Sequence, residues 1–291
     1  MILNQTPPFP FETPQDAGAQ STPREQRWTL DDIPWQKIEH REVAAREDFS
    51  LLVAAASLVE ATTGLYTRNL IDLFHGDEEV SLWLGEHWLP EELQHGRALR
   101  LYVETAWPDF AWEEIYRRFL EEYAPFCRLD ALEAALSLEM ASRCVVEMGT
   151  ASYYTTLSRA STEPVLSLLA RRIAEDEVRH YKHFYRYFRK YREAEQPGRK
   201  EVAGALWRRL RMTNSEDGYI ALKHVSLARH PDRPFDKRRY RALRRELRRS
   251  FLAQFPHAMS VKMLLKPLEL PARAQRVAEP LALAIARRLA P

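Results

Sequence analysis

Small and apolar residues recur at helical spacing from about residue 42 onward, and the first long stripe contains a single carboxylate. On a helix with 3.6 residues per turn, one face carries Val53, Ala56, Glu60, Gly64 and Thr67. The neighbours of Glu60 on this face are small or apolar. The pattern therefore predicts that Glu60 points into the protein rather than to solvent.

A second helical stretch runs from about residue 77 to residue 105 and stops near Pro108. Pro90 interrupts it, because proline lacks the backbone N–H and clashes with the preceding turn. We expect the helix to kink or restart there, just before Glu92. The restarted helix would present on one face Trp88, Glu92, His95, Leu99 and Tyr102.

The remaining pattern predicts two more long helices and a shorter one. Residues 109–123 form the short helix, closed by Pro125, and a third long helix covers about residues 129–157. A fourth begins at Pro164, a residue type favoured in the first helical turn, and continues through Tyr191. The inward face of the third helix would contain Met140, Cys144, Glu147, Thr150, Ala151 and Tyr154.

The two ends of the chain differ from this region. Six prolines fall within residues 1–34, which predicts an extended arm. Beyond Pro197 we expect helices near 200–211 and 219–229, separated by a polar break at 214–218, and then a very basic helix over 237–249. We divide the chain into an arm (1–34), a helical bundle (35–196) and a basic, mostly helical extension (197–291) that packs on the bundle.

Composition supports an all-α class. Of 291 residues only 9 are glycine, while 45% are hydrophobic and 29% charged, as in ordinary globular proteins. Cys127 and Cys144 are too few for a disulfide framework or a cysteine-ligated metal site. The sequence contains no uninterrupted apolar run of membrane-spanning length and no signal-peptide pattern, so we expect a cytoplasmic protein.

The most informative pattern is an ordered set of glutamates and histidines. Two Glu-x-x-His pairs, Glu92/His95 and Glu177/His180, are each preceded by a lone glutamate, at positions 60 and 147. Positions i and i+3 share a helix face, so each pair presents a carboxylate and an imidazole to one point. Four helices with Glu, Glu-x-x-His, Glu and Glu-x-x-His supply the ligands of a carboxylate-bridged di-metal site.

The intervals within this set predict a topology. The spacings from position 60 to 92 and from 147 to 177 suit two antiparallel hairpins, whereas the interval from 95 to 147 suits one long crossover. Hard carboxylates with imidazoles favour iron or manganese. The alternative is that these residues lie on solvated helix surfaces, but four correctly ordered elements on predicted inward faces argue against it.

Two segments carry a more specific resemblance. Residues 91–96 (Glu-Glu-Leu-Gln-His-Gly) and 176–180 (Asp-Glu-Val-Arg-His) resemble the signature motifs of soluble acyl-acyl-carrier-protein desaturases, members of the ferritin-like di-iron oxidase superfamily. Thr150, three residues after Glu147, also matches that family. The resemblance covers residues 45–191. One departure is Ala61, where the family has an acidic residue, and nothing aligns after Tyr191.

The resemblance implies an all-α, ferritin-like four-helix bundle with one long crossover and additional C-terminal helices. It further implies that Glu92 and Glu177 bridge two irons. Asp176 would accept a hydrogen bond from an iron-bound imidazole. Thr150 would assist proton delivery, although a helix threonine bonded to its own backbone is an equally simple interpretation. The full ligand set would be Glu60, Glu92, His95, Glu147, Glu177 and His180.

The implied function is oxygen-dependent oxidation of an acyl or similar organic substrate by a non-haem di-iron enzyme. No flavin or nicotinamide fingerprint is present, so an external donor such as a ferredoxin would supply electrons. The resemblance also suggests a homodimer and an acyl carrier protein or another carrier as partner. Manganese in one metal position stays open.

Two alternatives depend on individual features. His183 could add a nitrogen ligand, as in di-iron N-oxygenases acting on an amine or aromatic acid, or lie beside the site without binding metal. A ferritin-like iron-binding or peroxide-protective protein would need no organic substrate. The basic run 237–249 could attract an acidic carrier or be a solvated face, and no nucleic-acid motif accompanies it.

Overall fold

The computed structural model describes residues 28–213 and 217–289, and every regular element within those ranges is helical. This confirms the all-α class. Most of the predicted arm, residues 1–27, and part of the predicted polar break, residues 214–216, lie outside the described residues.

Thirteen α-helices are present in the described residues. They are α1 (His40–Ala44), α2 (Glu47–Glu60), α3 (Thr63–Leu73), α4 (Glu78–Trp83), α5 (Leu89–Ala106), α6 (Trp112–Tyr123), α7 (Leu136–Ala160), α8 (Pro164–Glu195), α9 (Arg199–Thr213), α10 (Asp217–Arg229), α11 (Lys237–Phe251), α12 (His257–Leu265) and α13 (Ala272–Leu289). A π-helical segment, Leu84–Trp88, joins α4 to α5.

Helices α2, α5, α7 and α8 form the centre of the molecule. Helix α7 packs along α8 after a three-residue connection, α2 packs along α5, and α5 also contacts α8. The Tyr153 hydroxyl on α7 donates a hydrogen bond of 2.9 Å to the Leu52 carbonyl on α2. The two helix pairs are thereby joined face to face around the residues predicted as ligands.

Local signals set the start of α8 where the sequence predicted it. Glu163 precedes the helix, and its carboxylate accepts hydrogen bonds from the backbone N–H groups of Val165 and Leu166, at 3.1 and 2.7 Å. Pro164 occupies the first turn, where its missing N–H costs nothing. The helix runs to Glu195, and Gln196 closes it in the left-handed conformation with φ 50°.

Helix α7 begins later than the pattern predicted. Residues 129–131 form a separate 3-10 turn, and the α-helix starts only at Leu136. The Glu195 carboxylate accepts hydrogen bonds from the N–H groups of Leu136 and Ser137, at 3.0 and 2.9 Å. A residue at the far end of α8 therefore caps this start, because the first N–H groups of any helix need an acceptor.

The helix predicted over residues 77–105 does not restart at Pro90, although its geometry changes just before that residue. The chain passes from α4 through the π-helical segment into α5, with Pro90 in the first turn of α5. A widened turn of this kind accommodates the missing N–H while the helical path continues. Trp88 and Glu92 both remain buried as a result.

The last residues of the predicted arm pack on the protein. Trp28 and Ile33 are 3% and 2% exposed, and both belong to the main hydrophobic cluster. At the other end of the chain, α9 packs on α7, α10 on α2 and α6, and α12 on α7. The C-terminal helices thus cover the central helices.

One stretch of the described residues, Glu47–Leu73, is long and apolar enough by composition to cross a membrane. Within it, 67% of the most apolar window is buried inside the protein. Burial of this kind is what a core helix of a folded domain shows. The same stretch contains the buried carboxylate Glu60.

We predict that Gly96→Ala destabilises the fold by about 1–3 kcal/mol, because α5 crosses the end of α2 at this glycine. A methyl group there would lie 3.0 Å from both Cα and N of Ala61. Backbone atoms cannot move aside as a flexible side chain would. Urea unfolding followed by circular dichroism measures the change. Gly149→Ala is the matched control, since nothing lies within 4 Å of its added methyl group, and it should be neutral or stabilising.

Candidate metal centre

All six residues predicted as ligands converge in the buried space between the four central helices. They form two groups of four whose ligand atoms lie within 4.8 Å of one another. One group is Glu60, Glu92, His95 and Glu177, and the other is Glu92, Glu147, Glu177 and His180. The two carboxylates common to both groups, Glu92 and Glu177, are the ones expected to bridge.

Each central helix contributes the residues that its periodicity predicted. Glu60 is the last residue of α2, and Glu147 lies in the middle of α7. Helices α5 and α8 each contribute a Glu-x-x-His pair from one face. All six side chains are buried, the most exposed being Glu60 at 6%.

The two imidazoles are held by acidic residues of the opposite motif. His95 Nε2 lies 3.0 Å from Asp176 Oδ2, and His180 Nε2 lies 2.7 Å from Glu91 Oε2. Each partner immediately precedes the shared glutamate of the other helix, Glu177 or Glu92. In the neutral imidazole, an Nε2–H that donates to a carboxylate leaves Nδ1 unprotonated and able to bind a metal, and it orients the ring.

Asp176 and Glu91 are themselves connected. The Trp28 indole N–H donates to Asp176 Oδ2 at 2.7 Å. Arg179 pairs with both acids, through Nη1 to Asp176 Oδ1 at 2.5 Å and through Nη2 to Glu91 Oε2 at 3.3 Å. Burial alone would raise the pKa of Asp176, but the hydrogen bond from His95 and the nearby positive charges lower it to about 2. Asp176 therefore stays an acceptor.

The buried carboxylates of the cluster repel one another, and this repulsion favours the binding of protons or other cations. Burial, with repulsion from neighbouring carboxylates, raises the pKa of Glu60 and raises that of Glu147 to about 8. Burial would lower the pKa of His95, yet its contacts with Asp176 and Glu177 raise it well above the usual value. Protons therefore compensate the clustered carboxylates, and bound cations could take their place.

Several buried atoms at the centre have no hydrogen-bond partner within the described protein. They are His95 Nδ1, His180 Nδ1, Glu147 Oε2 and Glu177 Oε1. His95 Nδ1 faces Glu177 Oε1 at 3.3 Å, and His180 Nδ1 faces Glu92 Oε1 at 3.0 Å, without hydrogen-bond geometry. Buried polar atoms are normally satisfied, so this convergence of metal-binding atoms fits a pair of metal ions.

The Thr150 hydroxyl contacts both the centre and its own helix backbone. It lies 2.6 Å from Glu177 Oε2, and 3.1 Å from its own helix carbonyl at Glu147. The shorter contact is to the shared carboxylate. Tyr154 makes a comparable bond, 2.6 Å from its hydroxyl to Glu60 Oε1. The sequence predicted that Thr150 and Tyr154 face inward. It did not predict that Tyr154 would hydrogen-bond to Glu60 or that Glu91 would contact His180.

His183 is absent from both ligand groups. Its ring stacks on Trp83 at a centroid distance of 4.9 Å, and the side chain is about half-buried. Burial, with the charge of Arg186, lowers its pKa. The geometry places this histidine against an aromatic wall and favours a packing role.

A cavity of about 680 Å³ opens onto the centre. Four ligand carboxylates and Thr150 form part of its wall, and most of the remaining lining is apolar. Phe126 and Met212, which are 47% and 39% exposed, line it at the protein surface. The volume falls within the range of pockets that bind small organic molecules.

Comparisons with protein-family models, with curated proteins and with solved structures find no match to this chain. The class of this protein therefore follows from its fold and its site alone. It is an all-helical protein with a buried cluster of four glutamates and two histidines that could hold metal.

Proposed function

We propose that this protein is an oxygen-dependent non-haem di-iron oxidoreductase that oxidises an acyl or similar organic substrate on a ferritin-like four-helix bundle. One observation carries the proposal. Two ligand groups share Glu92 and Glu177, and they border a largely apolar cavity of about 680 Å³. The first feature fits two ions at bridging distance, and the second fits an organic molecule beside them.

The donor set favours iron. Four carboxylates and two imidazoles are hard and intermediate ligands, and no cysteine takes part, as iron and manganese prefer. Four negative charges balance two divalent cations, which makes their burial tolerable. Manganese in one position is compatible with the same ligands.

When bound, two ferrous ions would supply the reducing equivalents and Lewis acidity for oxidation by dioxygen. The protein's residues perform the other tasks. Asp176 and Glu91 hold the imidazole rings in one tautomer, and the apolar wall excludes water. Thr150 holds a hydroxyl proton 2.6 Å from Glu177, at the border of centre and cavity, where it can be passed on.

The other expectations remain part of the proposal. An external electron donor such as a ferredoxin, a homodimer and a cytoplasmic location are predictions. A carrier protein gains some support from α11, a helix with many basic residues. Three of its residues, Arg244, Leu247 and Phe251, line the cavity, so an acidic carrier attracted to this helix would meet the cavity.

The cavity also bears on the alternatives. An iron-binding or peroxide-protective protein without an organic substrate has no use for a large apolar cavity next to its metals. An N-oxygenase that uses His183 as a ligand is not favoured either, since that ring stacks on Trp83.

Anaerobic loading with ferrous iron tests the proposal. We expect about two irons per chain, and oxygen consumption with a chemical reductant that rises when medium-chain acyl compounds are added. Mass spectrometry of those compounds would detect oxidised or desaturated products. No bound iron would contradict the di-iron site. Two irons with peroxide turnover and no dependence on any organic compound would favour the peroxide-protective alternative.

A further inference from the structure

A buried arginine beside the centre has two nitrogen atoms without a hydrogen bond in the described part of the chain. Arg143 lies one turn before Glu147 on α7, is 4% exposed and lines the cavity. Its Nε and Nη2 atoms have no hydrogen-bond partner among residues 28–213 and 217–289. The nearest carboxylate contact, from Nη2 to Glu147 Oε1, measures 3.7 Å, which is too long for a hydrogen bond.

Aromatic rings hold this guanidinium in place. Its central carbon lies 5.3, 5.4 and 5.7 Å from the ring centres of Trp88, Tyr66 and Phe184. Such contacts attract the positive charge without supplying an oxygen acceptor to its N–H groups, so Nε and Nη2 remain able to bind one. A buried charge with unused donors is costly unless a ligand uses them.

Trp88 provides a second unused donor in the same cavity wall. Its side chain is 1% exposed, and no described residue accepts a hydrogen bond from its indole N–H. The ring that contacts Arg143 therefore also carries an unsatisfied donor. Two buried donors on adjacent side chains are an arrangement that suits an anion with two acceptor atoms.

The charges of the cavity wall also favour an anionic ligand. Its acidic residues are the four ligand carboxylates, whose charge two divalent ions would cancel. The other charged residues that line the cavity within the described chain are arginines, at positions 128, 143, 209 and 244. Once metal is bound, Glu147 no longer offers net negative charge to Arg143.

We propose that Arg143 and Trp88 form a carboxylate-binding subsite at the inner end of the cavity, and that the substrate is a free acid with an apolar body. This inference rests on the proposed function and narrows its substrate class to a free acid, which replaces the carrier-bound substrate considered above. The acid group would lie at the inner end, with the apolar body toward Phe126 and Met212. A carrier-bound chain would instead enter with its methyl end first and bring no anion to Arg143.

Two probes with the same hydrocarbon chain, one an acid and one an ester, test the subsite. The test measures binding rather than turnover. Decanoate and methyl decanoate are titrated into iron-loaded protein without oxygen, by calorimetry. We expect the wild type to bind decanoate about tenfold or more tightly than the ester, since charge-assisted hydrogen bonds reward only the ionised acid. Equal affinity for the two probes would overturn the proposal without any variant.

Variants locate the acid group. Arg143→Met should abolish the preference for decanoate, Arg143→Lys should retain part of it, and Trp88→Phe should reduce it a few-fold while keeping an aromatic ring. Arg244→Met, at another part of the cavity wall, is the matched control and should keep the preference. Loss in Arg244→Met but not in Arg143→Met would place the acid elsewhere and overturn the subsite.

The two proposals fail separately. A wild type that holds no iron yet prefers decanoate through Arg143 would contradict the di-iron function and support the subsite. A wild type with about two irons per chain and no preference for the acid would support the di-iron function and contradict the subsite. If Arg143→Met does not fold, the comparison of acid and ester on the wild type and on Arg143→Lys still decides.

Discussion

Replacing either shared carboxylate, by Glu92→Ala or Glu177→Ala, is expected to remove both metal ions rather than one. Each side chain belongs to both ligand groups, so its loss deprives both positions of a ligand at once. It also leaves the remaining charges unbalanced. We expect metal content to fall from about two ions per chain to nearly none, with oxygen consumption falling in parallel.

The unshared carboxylates provide the internal comparison. Glu60 and Glu147 each belong to one group only, so Glu60→Ala or Glu147→Ala leaves the other group intact. These variants should retain about one ion per chain. Metal analysis after dialysis, with circular dichroism to verify folding, measures the difference.

A neighbouring glutamate serves as the control for surface effects. Glu175 lies two residues before Glu177, but its side chain is 56% exposed and pairs with Arg172 at 3.8 Å. Glu175→Ala should keep full metal content. If Glu60→Ala removed as much metal as Glu177→Ala, the distinction between a carboxylate that belongs to one group and a carboxylate shared by both would be wrong.

The second large effect is expected from the acids that hold the imidazoles. Asp176→Asn should weaken metal binding by about 10- to 100-fold while the fold persists. An amide can present its NH₂ group to His95 Nε2, which favours the tautomer with the proton on Nδ1 and blocks the metal-binding atom. Competition with a chelator of known affinity measures the loss.

Glu91→Gln should act in the same way on His180, since the two acids occupy equivalent positions. Trp28→Phe removes one hydrogen bond to Asp176 and should cost less than Asp176→Asn. His183→Gln is the matched histidine control and should leave both affinity and optical spectrum unchanged. A spectral change in His183→Gln would revive the N-oxygenase alternative, and unchanged affinity in Asp176→Asn would contradict the orienting role.

Helical periodicity was sufficient to identify the six metal-binding candidates. Positions i and i+3 of a helix share a face whatever surrounds it, so the pairs at 92/95 and 177/180 could be recognised before any tertiary contact was known. The start of α8 was equally local, since Glu163 and Pro164 stand next to each other in the chain. The start of α7 was not, because its acceptor, Glu195, lies 58 residues from Ser137.

The sequence by itself determined the helical class, the candidate ligands and the faces on which they lie, because these follow from interactions within one or two turns. Only the tertiary structure paired Asp176 with His95 and Glu91 with His180, across 81 and 89 residues of chain. It alone placed Trp28 against Asp176 and left Arg143 and Trp88 unsatisfied at a shared cavity. Such relations depend on how separate helices pack, and no local pattern encodes that packing.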